Sequence, residues 1–63
     1  MNSDISEGKW RELKGSVKEK WGKLTDDDLL EVEGQLDKFC GKMQKLYGMS
    51  RQDAEQEFNR FKD

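Results

Sequence analysis

The sequence predicts an all-α fold, a small bundle of four helices, on three observations. Apolar residues recur at intervals of three and four along almost the whole chain. Candidate N-caps stand ahead of those runs, at Ser3 or Ser6, at Thr25 and at Ser50. There is no proline, and no alternating run that would make a strand.

Taken in order, the first helix opens at Ser3 or Ser6, with Asp4 and Glu7 close to its positive end. Its buried face is the series Trp10, Leu13, Val17 and Trp21, and Gly22-Lys23-Leu24 closes it. Two tryptophans in so short a chain read as core rather than as a platform for stacked bases. Thr25 opens the second helix, and Asp28 three residues on completes a capping-box pattern. Leu29, Val32, Leu36, Phe39, Met43 and Leu46 then continue one period without interruption. Either one long kinked helix or two helices fit that series, and Gly34 favours a helix at about 26–33, a bend, and another at about 35–47. Gly48 ends the third helix and Met49 can fold back on it. Ser50 caps the fourth, with Asp53 at the third position and Ala54, Phe58 and Phe61 facing inward.

The first and third helices are related by an internal repeat. Placing Gly8–Gly22 on Gly34–Gly48 superposes every glycine, and sets Trp10 on Leu36, Leu13 on Phe39, Val17 on Met43 and Trp21 on Tyr47. At about 100° per residue the glycines point away from the apolar stripe. Gly8, Gly22, Gly34 and Gly48 fall at helix ends or bends, where glycine is expected. Gly15 and Gly41 are mid-helix, where a glycine costs roughly 1 kcal/mol relative to alanine. Close packing inside the fold, an approaching partner, or deliberately marginal helices would each account for them.

Composition bounds the function. With 63 residues, 32% hydrophobic and 41% charged, the chain reads as one domain over 1–63 with no room for a second. Cys40 is the sole cysteine and histidine is absent, so neither an intramolecular disulfide nor a zinc site can support the core, and a reducing cytoplasmic setting fits. Without imidazole, and with Cys40 on the apolar face beside Phe39 and Met43, catalysis is not expected. Asp26, Asp27 and Asp28 lack the spacing of a calcium loop and read as helix capping; no metal and no cofactor is implied. The N-terminus is polar and acidic, unlike a signal peptide, and no stretch is apolar enough to span a membrane.

The net charge of −2 gives no general attraction to nucleic acid, but charge is unevenly placed. Residues 1–24 carry six basic and four acidic side chains, 25–40 one and six, and 41–63 five and four. Lys9, Lys14 and Lys18 on the first helix are the candidates for a phosphate backbone, although Glu12 and Glu19 interrupt them. Gly15 and Gly41 are the candidates for contact with a protein partner. The chain is expected to be a monomer.

Gly8-Lys9-Trp10, Leu13-Lys14-Gly15, the run Val17 to Leu29 with Trp21-Gly22-Lys23-Leu24-Thr25-Asp26-Asp27-Asp28 at its centre, Gly41-Lys42-Met43-Gln44, Tyr47-Gly48 and Ala54-Glu55 together resemble the CsbD-like family of small bacterial stress-response proteins. The resemblance covers nearly the whole chain. It implies a cytoplasmic protein of the general stress response, without known enzymatic activity and without catalytic or ligand residues. It also implies four helices in two roughly orthogonal hairpins, like the SAM-domain bundle. Relatives often place lysine and then a charged or polar residue where this chain has Gln35-Leu36, which bears on Leu36 as a core residue. They more usually have an aliphatic residue at the position of Cys40, which agrees with a packing role for the thiol. The function expected is thus non-catalytic stress response, through abundance or through binding a macromolecular partner. The alternative is a weak nucleic-acid-binding module using the basic first helix.

Overall fold

Local capping sets where each helix starts. The structure, a computed structural model, describes residues 5–62 and has four helices: α1 (Glu7–Lys20), α2 (Asp26–Val32), α3 (Leu36–Tyr47) and α4 (Arg51–Lys62). Ser6 caps α1, its hydroxyl accepting from the Lys9 N–H at 3.4 Å; Ser3 and Asp4 lie outside the described residues. Thr25 and Asp28 form the full capping box: Thr25 Oγ1 accepts from the Asp28 N–H at 3.2 Å and Asp28 Oδ2 from the Thr25 N–H at 3.1 Å. Ser50 Oγ accepts from the Asp53 N–H at 3.1 Å and caps α4. Helix α3 begins at Gln35 without a side-chain cap.

The long apolar series is divided into two helices, as the position of Gly34 indicates. Helix α2 stops one residue earlier than expected, because Glu33 takes the left-handed conformation (φ 47°) and Gly34 follows with φ 75°. Two successive positive-φ residues turn the chain sharply. At Gly34 glycine is needed twice over: besides its φ, a Cβ there would stand 2.8 Å from the Ile5 carbonyl oxygen. The Ile5 N–H donates to the Gly34 carbonyl at 2.8 Å, so the segment entering α1 is fastened to the α2–α3 bend. Helix α1 also ends earlier than expected. Trp21 is its C-cap rather than its last turn, and the Trp21 N–H donates to Val17 O at 2.8 Å. Gly48 closes α3 in the left-handed conformation (φ 63°), with Met49 packed back on the core.

Each helix packs on its sequence neighbour, α1 on α2, α2 on α3 and α3 on α4, the last pair most extensively. The Cα radius of gyration is 10.4 Å, close to the roughly 10.6 Å expected of a compact chain this long. Val17, Leu24, Leu29, Val32, Phe39, Met43 and Phe58 are buried at the centre, and no charged or polar residue among those described is buried with them. Phe39 and Phe58 join α3 to α4, ring centroids 5.4 Å apart. Trp10 is buried with its indole N–H donating to Leu29 O at 3.3 Å, which pins α1 to α2. Both tryptophans thus pack against the core, Trp21 half-buried. Leu36, on which the family comparison bears, is half-buried and packs against the core.

Candidate partner-binding surfaces

The outward faces of α1 and α3 carry the features left over once the core is filled. Gly15 and Gly41 are both exposed, and a Cβ added at either would meet nothing within 4 Å. This overturns one of the explanations open for them, close packing inside the fold. Their side of the helix is opposite the apolar stripe, and no described element covers it. A partner, or helices kept soft by glycine, remain as explanations.

The three lysines of α1 do not form one strip. At about 100° per residue, Lys9 lies roughly 140° from Lys14 and 180° from Lys18 around the helix. Lys18 donates to Asp26 at 2.9 Å, and that hydrogen bond, with the lysine's charge, holds the Asp26 carboxyl below its usual range. Lys14 lines a shallow hollow of about 300 Å³ with Glu7, Trp10, Arg11, Leu30 and Glu33. Among the described residues Leu30 is the one large apolar side chain left exposed, at 61%.

A more regular basic strip lies on α3, at residues the sequence reading passed over. Lys38, Lys42 and Lys45 fall at i, i+4 and i+7, around Gly41, and line a groove of about 470 Å³ with Glu31 of α2 and Glu33 just after it. Lys42 is committed to the fold: it reaches Glu31 at 2.7 Å and Asp28 at 3.0 Å, and these two hydrogen bonds raise its pKa, Glu31 foremost. Asp28 is held low in turn, first by the Thr25 backbone N–H and then by Lys42. Lys38 and Lys45 are exposed and pair with no carboxylate among the described residues. The signal for this strip was the three–four spacing of the lysines. Dividing the chain by charge hid it, since the boundary after residue 40 separated Lys38 from Lys42 and Lys45.

The one thiol of the chain is not an activated group. Cys40 is fully buried, and burial pushes its thiol pKa up, which keeps it protonated and unreactive. No three acidic or thiol side chains among the described residues gather as a metal site. Asp28 is occupied by its capping box and Lys42, and Asp26 by Lys18. Among the described residues no helix is long and apolar enough to cross a membrane.

Comparison with known proteins places the chain. A family model described as CsbD-like matches residues 4–56. A UPF0337 protein of Protochlamydia amoebophila is 56% identical over 63 residues, covering all of this chain and 96% of the relative. A UPF0337 protein of Pseudomonas aeruginosa is 51% identical over 63 residues, again all of this chain, and 97% of the relative. The UPF0337 protein YjbJ of Escherichia coli K12 is 51% identical over 57 residues, 90% of this chain and 83% of the relative. With a family match over most of its length and relatives this similar over most of theirs, the chain belongs to the CsbD-like family of bacterial proteins.

Proposed function

We propose that this chain is a single-domain, non-catalytic, cytoplasmic protein of the bacterial stress response that works by binding a macromolecular partner. The observation that carries the reading is the bare backbone at Gly15 and Gly41. A mid-helix glycine lowers helix stability by roughly 1 kcal/mol, and within the fold nothing occupies the space that either glycine leaves. Of the two explanations left, a partner and a softened helix, we take the partner, because open backbone on an outward face gives another molecule room to approach closely. The fully buried thiol and the absence of histidine support the non-catalytic part. The test is a photo-crosslinking side chain at position 15 in stressed bacteria, with Asn59 as the control position. One dominant macromolecular adduct at position 15, absent at 59, is expected; a diffuse spread, or none, would favour protection through abundance alone.

A second reading, weak binding of a nucleic-acid backbone, draws on the exposed Lys38 and Lys45 beside Lys42 as well as on Lys9, Lys14 and Lys18. It predicts an affinity for a short duplex that falls steeply with salt. Unchanged fluorescence anisotropy at low salt would remove it.

A further inference from the structure

The glycine backs of α1 and α3 carry inverted charge at three of four equivalent positions. Around Gly15, Glu12 and Glu19 stand three residues before and four after; around Gly41 the same places hold Lys38 and Lys45. On the other flank, four residues before and three after, α1 has Arg11 and Lys18 where α3 has Asp37 and Gln44. At about 100° per residue each pair lies within roughly 60° of its glycine, so each glycine is bordered by one flank of each kind. All eight flanking residues are exposed. Glu12, Glu19, Lys38 and Lys45 make no ion pair with any described residue. The fold therefore leaves unsatisfied the very charges that would neutralise one another if the two faces met. They cannot do so within one chain, since both faces point outward from the core.

We infer that the partner is a second copy of this chain, α1 of one molecule lying antiparallel in the groove along α3 of the next, Gly15 against Gly41. The direction follows from the flanks. Turning one face onto the other with the helices antiparallel brings like-placed flanks together, so Glu12 meets Lys45 and Glu19 meets Lys38, while Lys18, already paired with Asp26, comes beside Asp37, already paired with Arg51. Parallel helices would set Arg11 and Lys18 against Lys38 and Lys45, and like charges repel. In the groove Lys42 already neutralises Glu31, which leaves Glu33 as the free acidic group on its α2 side. Two bare Cα positions at the crossing allow the axes to approach to the short end of the usual spacing of about 8–10 Å. Two helices of 14 and 12 residues make a small contact, so the association is weak and salt-sensitive. It replaces the monomer expected from the sequence, and it rests on the partner-binding reading of the same glycines.

The test is sedimentation velocity at low salt from about 20 µM to about 1 mM, a range suited to a small interface. Wild-type protein is expected to associate with rising concentration. E12K/E19K and K38E/K45E should each weaken association at least about tenfold, because like charges then face each other. Mixing the two variants should restore it. So should combining all four substitutions in one chain, which keeps the net charge at −2. Circular dichroism of each variant checks that it is folded. A wild-type protein monomeric throughout, charge-reversed variants that associate as the wild type does, or a mixture that fails to recover would overturn the inference. Duplex binding abolished by K38E/K45E, with no self-association in the wild type, would overturn it in favour of a nucleic-acid occupant. A dominant crosslinked adduct at position 15 with some other macromolecule would sustain partner binding even then, so the two failures are distinguishable.

Discussion

Trp21 and Tyr47, equivalent residues in the two halves of the repeat, meet edge to face, ring centroids 5.2 Å apart and planes inclined by 67°. Tyr47 ends α3 and Trp21 caps α1, so the contact ties together two helices that are not sequence neighbours. Around it the Lys23 N–H donates to the Tyr47 hydroxyl at 2.9 Å, and the Lys23 ammonium sits 5.1 Å from the Tyr47 ring centroid. Lys20 reaches across the Trp21 ring and ends on Glu57 of α4 at 2.8 Å.

Removing the hydroxyl alone, Tyr47→Phe, keeps the aromatic contact and loses one hydrogen bond, so it should cost about 0.5–1.5 kcal/mol in urea unfolding. Tyr47→Leu also removes the edge-to-face geometry and should cost about 0.5–1.5 kcal/mol more. A double-mutant cycle with Trp21→Leu isolates the pair.

Glycine substitutions should divide by sign. Gly34→Ala must hold a positive φ and place a Cβ 2.8 Å from the Ile5 carbonyl, and should destabilise by about 2 kcal/mol or more. Gly15→Ala and Gly41→Ala meet open space and should each stabilise by up to about 1 kcal/mol. Thermal unfolding of the three variants reads both signs.

The α2 cap should give a directional pH dependence. Asp28 has a folded pKa below its unfolded value, so its contribution is present above the unfolded value of about 3.9 and is lost as pH falls through the lower folded one. Lys42 has a raised folded pKa, so its contribution is present below about 10.4 and is lost as pH rises through the folded value. Asp28→Asn should flatten the acid limb of a stability-against-pH curve, and Lys42→Met the alkaline one. Thr25→Ala should cost about 1 kcal/mol at neutral pH by removing the hydroxyl half of the box.

Cys40 should react with a thiol reagent only through unfolding. Native protein is expected to label slowly, at a rate that tracks the unfolded fraction as urea is raised, and denatured protein at the rate of a free thiol.

The helices were legible because their signals are local. Ser6, Thr25 and Ser50 cap where hydroxyl residues precede an apolar period, and Gly48 stops α3. The misplaced ends are those where a residue departs from its usual habit. Glu33 takes a conformation that non-glycine residues seldom adopt, and Trp21 keeps its place in the apolar series while leaving the helix. The surface was harder to read. A mid-helix glycine looks the same in sequence whether another element packs on it or not, and only the folded structure shows the space beside Gly15 and Gly41 to be open. Lys38, Lys42 and Lys45 were legible by spacing but were masked by the aspartates and glutamates just before them.

Whether Gly15 and Gly41 serve a contact outside the fold can be read from the survival of stressed bacteria carrying the Gly15→Ala/Gly41→Ala variant, measured beside the stability of the purified protein. If they do, the variant is more stable than the wild type and protects less. A protein that is more stable and protects fully would contradict it.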